Sequence, residues 1–152
     1  MLTNLPLIGW AKPVPVDPRH LKHPKGDFAL IAAAGPASNL IMALIGAVIF
    51  ATLPDVGPGD IAGRAVMRPL SQLVFQFIQL NVLLAVFNMI PVPPLDGGNV
   101  LVGVLPHAGV RVVERLRPYG FMILYALMLT GMLSKVILPV AIAILRVLLR
   151  VP

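Results

Sequence analysis

Cysteine is absent from the 152 residues. That removes disulfide frameworks, thiolate zinc sites, iron–sulfur clusters and cysteine nucleophiles from consideration. Charge is scarce as well: Asp, Glu, Lys and Arg make up 12% of the chain, against about 25% in soluble domains. The single glutamate, Glu114, sits among basic residues, and no serine lies in a nucleophile elbow, so a Ser-His-Asp hydrolase has no support. Basic and aromatic residues do not interleave, which argues against nucleic acid as a partner.

Apolar residues are plentiful instead, at 58% of the chain, where soluble domains carry about 45–50%. So few charges cannot cover the surface of a water-soluble domain of this size, and lipid is the expected solvent. The net charge of +6 comes from Lys and Arg between or beside the apolar runs, where they meet lipid headgroups and set topology.

Three runs are candidates to cross a membrane. Residues 28–53 contain no ionisable side chain and are bracketed by Asp27 and Asp55. Residues 70–90 follow Arg68 and end at Pro91, Pro93 and Pro94. Both match the roughly 20 apolar residues that a bilayer core requires. The third, 118–134, stops after 17 residues at Lys135, and a further apolar run, 136–145, follows. Either the third span ends there and an amphipathic helix lies in the interface, or one long tilted helix continues with Lys135 snorkelling. Pro139 favours the first. The expected fold is an all-α membrane protein: about three transmembrane helices, a C-terminal amphipathic or tilted helix, Pro-rich extended segments between them, and one membrane-embedded domain over 1–152. Lys12, Arg19, Lys22 and Lys25 before the first span, and Arg111, Arg115 and Arg117 after the second, place those two segments on the cytoplasmic side. The 54–60 loop then lies outside.

Polar residues inside apolar runs carry the functional argument. Asn39, Asn81 and Asn88 lie in or at the ends of the spans. Asn81 and Asn88 share a helix face, where asparagine commonly hydrogen-bonds neighbouring helices. Gly35-Pro36 kinks the first span and frees a carbonyl, which serves either structure or substrate access. Asp96 follows Pro91-Val92-Pro93-Pro94-Leu95 and precedes Gly97-Gly98. The prolines restrain the segment to extended conformations, and the glycines permit a sharp turn with close backbone approach. A carboxylate near apolar surroundings costs several kcal/mol unless it is paired or bound to a cation. Asp96 is therefore either a cation ligand or a solvated turn residue. His20 and His23 stand three apart in a segment crowded by Lys22 and Lys25, a poor metal site, and His107 lies in a Pro/Gly-flanked loop.

Three blocks together resemble the site-2 proteases, intramembrane zinc metalloproteases, in their compact bacterial and archaeal branch. They are Gly9-Trp10-Ala11-Lys12-Pro13-Val14-Pro15-Val16, Ala34-Gly35-Pro36-Ala37-Ser38-Asn39, and Asn88-Met89-Ile90-Pro91-Val92-Pro93-Pro94-Leu95-Asp96-Gly97-Gly98. The last block, with Leu-Asp-Gly at its heart, is the specific one, and residues 118–133 are similar to the family's final span. The resemblance implies Zn2+ as cofactor with Asp96 as its third ligand. It implies that Asn88 and Asn39 bind substrate, and that Gly35, Pro36, Pro91, Pro93, Gly97 and Gly98 shape the site. It also implies hydrolysis of peptide bonds within or near transmembrane segments of membrane proteins, in the plasma membrane of a prokaryote. The Pro-rich segment is expected to pair with an unwound substrate by strand addition.

One departure stands out. The family's His-Glu-x-x-His motif, which supplies two zinc ligands and a general base, is missing, and His20-Leu21-Lys22-His23 does not replace it. The expectation is a chain truncated at its N-terminus and inactive alone. The competing readings are a non-catalytic relative that binds transmembrane helices and a small channel or transporter subunit.

Overall fold

The computed structural model describes residues 24–57 and 59–150. The Gly9–Val16 block, His20 and His23 lie outside the described residues. Six α-helices follow in order: α1 (Pro24–Thr52), α2 (Ile61–Asn88), α3 (Asp96–Val104), α4 (His107–Leu116), α5 (Gly120–Leu129) and α6 (Met132–Leu149), with a 3-10 turn at Arg117–Tyr119. No strand occurs among the described residues, and the all-α membrane fold stands.

α1, α2 and α6 are long and apolar enough to cross a membrane. α1 and α2 form a hairpin, with α6 packed against both. Their shared core consists of Ala43 and Ala47 from α1, Ile78 and Val82 from α2, and Ala141 from α6. In lipid, helix association rests on close van der Waals packing, so small residues belong where helices cross. Gly46 marks a close approach of α1 and α2: a Cβ there would lie 2.8 Å from Ile78 Cγ1. Leucines, isoleucines and phenylalanines such as Leu30, Ile41, Leu73 and Phe121 face outward instead. That distribution suits a lipid solvent and would be an aggregation hazard in water.

The second helix begins nine residues earlier than the apolar run. Asp60 caps it, its carboxylate accepting the Gly63 N–H at 2.8 Å, which satisfies one of the orphan donors of the first turn. Arg64 and Arg68 therefore lie on the helix rather than in a loop, and Pro69 is accommodated within it.

The expected third span, 118–134, is not one helix. The Thr130 hydroxyl donates to the Ala126 carbonyl at 3.0 Å, and Gly131 takes the left-handed conformation (φ 69°), a geometry that glycine adopts without a Cβ penalty. The chain restarts as α6, which passes through Pro139 without interruption. The C-terminal helix, for which the sequence leaves an interfacial or a tilted placement open, is thus the third apolar helix long enough to span. Val136 and Val140 of α6 face Ala85, Val86 and Met89 near the end of α2, while Val147–Arg150 reach Leu44–Ala51 near the end of α1. α6 therefore runs parallel to α1 and antiparallel to α2.

Candidate functional site

The site forms where α2 ends. Asn88 is the last residue of α2, and residues 89–95 turn back to start α3 at Asp96. The turn is held by backbone bonds from Ile90 N to Phe87 O (3.2 Å), Val92 N to Ile90 O (2.8 Å) and Leu95 N to Val92 O (3.0 Å). The Pro93–Pro94 bond is cis. Two glycines make this packing possible. A Cβ on Gly97 would collide with the backbone carbonyl of Met89, and one on Gly98 would lie 2.8 Å from Pro93 N. Pro93 is buried while Pro91 is exposed. Gly120, at the start of α5, closes against the Pro93 carbonyl.

This arrangement overturns one expectation. Strand addition needs a row of free N–H and C=O groups. In 89–95 the N–H groups of Met89, Ile90, Val92 and Leu95 all bond within the chain, and the three prolines have none. The segment is a sequence of turns with no free donor, so an incoming strand cannot pair along it.

α3 lies antiparallel along the first third of α1. At one end, a Cβ on Gly103 would meet Ala29 and, at 2.9 Å, the Lys25 carbonyl. At the other, a Cβ on Gly35 would lie 2.9 Å from Asp96 Oδ2. Gly35 thus leaves the gap that the Asp96 carboxylate occupies. Gly35 is seven residues into the ionisable-free stretch that starts at Phe28, about 10 Å along the helix axis. Partial burial raises the Asp96 carboxyl pKa above its ordinary value. Among the described residues no hydrogen bond or ion pair reaches this carboxylate, so nothing there offsets its desolvation.

Pro36 is buried next to this contact and removes the N–H that the Ala32 carbonyl would otherwise accept. The Ser38 hydroxyl donates to the Gly35 carbonyl at 2.6 Å. Asn39 is one turn beyond Gly35 and shares its face of α1. Asn39 and Asn88 are both half-buried, and neither side chain has a hydrogen-bond partner among the described residues. Asn81 differs, because its Nδ2 donates to Phe77 O of its own helix at 2.8 Å; it is not an interhelical tie. The structure thus brings Asp96, Gly35, Pro36 and the Pro91–Gly98 turn together, with Asn39 and Asn88 on the flanking helices.

Two tethers had no sequence signal, since each joins distant positions. Lys25 Nζ lies 3.1 Å from His107 Nδ1, tying α4 to the start of α1, and Arg117 Nη2 donates to Asn99 Oδ1 at 3.2 Å.

A carboxylate oxygen is a competent zinc donor, but a structural or catalytic zinc site needs at least three protein ligands. Among the described residues no group of three or more His, Cys, Asp or Glu converges. Asp96 alone does not make a metal site, and only its contribution of one anionic oxygen fits. Gly35→Ala tests the gap directly. The added methyl meets the end of a side chain rather than backbone, so the helices persist while the carboxylate is displaced. Metal affinity of the complete gene product should fall about 10–100-fold, the range for changes that misorient a ligand, as measured by competition with a zinc chelator.

The comparisons with known proteins point to the same family. The sequence model of Peptidase family M50 matches residues 56–131, half of the chain and the part containing the Asn88–Gly98 block. Across 86% of its length the chain is 38% identical to the Bacillus subtilis (strain 168) protein named "Putative zinc metalloprotease YwhC", and it covers 59% of that protein. It is 30% identical over 84 residues to the Clostridium perfringens (strain 13 / Type A) protein named "Putative zinc metalloprotease CPE1693", covering 25% of it. The chain therefore spans less than two thirds of each of these relatives. No solved structure matches it. With the specific Leu95-Asp96-Gly97 block inside the matched region, the chain belongs to peptidase family M50, the family of the site-2 proteases.

Proposed function

We propose that the chain is the C-terminal portion of an intramembrane zinc metalloprotease of a prokaryotic plasma membrane, hydrolysing peptide bonds within or near transmembrane segments. The observation that carries this reading is the position of Asp96: an unpartnered carboxylate set against Gly35, inside an ionisable-free stretch of a spanning helix. Such a residue is costly in place unless a cation compensates it. Asp96 contributes one ligand, and the remaining ligands and the general base come from outside the described residues. When bound, zinc lowers the pKa of a water to about 7 and polarises a carbonyl.

The chain's own residues then supply position and polarity. The amides of Asn39 and Asn88 offer both donors and acceptors. A substrate helix opened for cleavage exposes backbone groups that lipid cannot satisfy, and these amides are the polar groups free to meet them. The turn at 89–95 keeps its own donors occupied and so acts as a rigid mount for Asp96.

The test is cleavage by the complete gene product, reconstituted in liposomes with a reporter protein whose transmembrane segment carries helix-destabilising residues. Cleavage that stops on chelation and returns with added zinc is the expected result. A reporter left intact at every zinc concentration, by a product that folds and inserts, would contradict the reading.

A further inference from the structure

A cavity lies at the opposite end of the α1–α2 hairpin from Asp96. Its volume is about 580 Å³, and its walls include Phe50, Leu53 and Met67 on the apolar side and Asp55, Arg64 and Arg68 on the polar side. Nothing in the protease reading uses it.

Depth identifies its surroundings. α2 has 28 residues and is about 42 Å long, whereas the hydrocarbon core is about 30 Å thick. The ionisable-free part, from residue 70 onward, accounts for the core. The first turns of α2, with both arginines, therefore lie in the headgroup layer. Arg64 and Arg68 are one turn apart and so share a helix face. Arg64 Nε donates to the Asp60 carbonyl at 3.4 Å. The Arg68 guanidinium has no hydrogen bond or ion pair among the described residues.

We propose that this cavity binds the phosphodiester headgroup of an anionic membrane lipid, with the phosphate between Arg64 and Arg68 and the glycerol and first acyl carbons against Phe50, Leu53 and Met67. Guanidinium groups suit phosphate oxygens through paired N–H donors. Asp55 offsets one of the two positive charges, so the cavity carries a net charge of one, which matches a phosphodiester monoanion better than a phosphate dianion. The apolar wall favours a lipid over a soluble phosphate, which has nothing to place there.

The experiment is native mass spectrometry of the complete gene product, released from nanodiscs of mixed phosphatidylglycerol and phosphatidylcholine. Phosphatidylglycerol should remain bound in preference to phosphatidylcholine, and millimolar glycerol 3-phosphate should not displace it. Arg68→Gln should reduce the retained phosphatidylglycerol about fivefold, and Arg64→Gln with Arg68→Gln by about another factor of five. Arg111→Gln with Arg115→Gln, on α4 at the other end of the molecule, should leave retention unchanged. Should the double variant fail to fold, the milder Arg68→Gln decides the matter. Retention equal to wild type in Arg68→Gln, no preference for phosphatidylglycerol, or displacement by glycerol 3-phosphate would overturn the proposal.

Discussion

Asp96→Asn in the complete gene product should abolish zinc retention and lower the cleavage rate by on the order of a thousandfold or more, because the proposed reaction depends on the metal, while the metal-free fold becomes more stable. The two effects have opposite signs for one physical reason. Asparagine keeps the size and one oxygen of aspartate but loses the anionic charge that the proposed ligand role requires. The same charge is what the apo fold tolerates poorly, since burial raises the Asp96 pKa and no partner among the described residues compensates it. The sign of the pH dependence follows. A carboxyl group with a raised folded-state pKa binds more protons folded than unfolded, so ∂ΔG/∂pH is negative between the two values. Its favourable contribution is complete below the ordinary value of 3.8 and is lost as pH rises through the folded-state pKa. Metal-free wild type should therefore lose stability over that range by more than Asp96→Asn does, in thermal scans of detergent-solubilised protein from pH 3.5 to 7. Identical pH slopes in the two proteins would contradict the burial of Asp96.

Alongside Gly120→Ala, Gly97→Ala should be among the most damaging single-methyl changes in the described chain. The new Cβ would occupy the position of the Met89 carbonyl, which is backbone, and the turn around it is fixed by three internal hydrogen bonds. No rotamer change relieves that overlap, so the turn must separate from α3. Overpacking of this kind costs about 1–3 kcal/mol and sometimes more. Detaching the turn also moves Asp96, the next residue, so zinc affinity and cleavage should fall with stability. Gly26→Ala is the matched control. Its Cβ would meet nothing within 4 Å, and alanine favours a helix over glycine by up to about 1 kcal/mol. Urea or thermal unfolding of the two variants should show opposite shifts. Equal shifts would mean that the packing of 89–98 does not limit stability.

How much of this could be read from the chain depends on the kind of signal. The first two spans are plain because ionisable residues bracket long apolar runs, as Asp27 and Asp55 do. The apolar run at 70–90 starts nine residues after α2 does, because Arg64 and Arg68 interrupt the hydropathy but not the helix, whereas the Asp60 cap that begins the helix is a local signal in the sequence. The third span differs from 118–134 because Lys135 marks the end of an apolar run but not the end of a helix, whereas Gly131 breaks the run from within. A proline within a helix removes one hydrogen bond, but a glycine in the left-handed region ends the helix outright. At the site, Asp96 and its glycines stand out by cost and spacing. The contact between Gly35 and Asp96 does not, because it joins residues 61 positions apart with no pattern linking them. Proline content suggested an extended strand at 91–95, but closure depends on where the Val92 and Leu95 N–H groups find acceptors, which composition does not encode.

The central claim is that Asp96 is a zinc ligand in the complete protein. The most direct measurement is the zinc content per protomer of the full reading-frame product, purified without chelator, for wild type, Asp96→Asn and Gly26→Ala. Elemental analysis should give about one zinc for wild type and Gly26→Ala and close to none for Asp96→Asn, with all three folded by circular dichroism. Equal zinc in wild type and Asp96→Asn would remove Asp96 from the metal site and contradict the account.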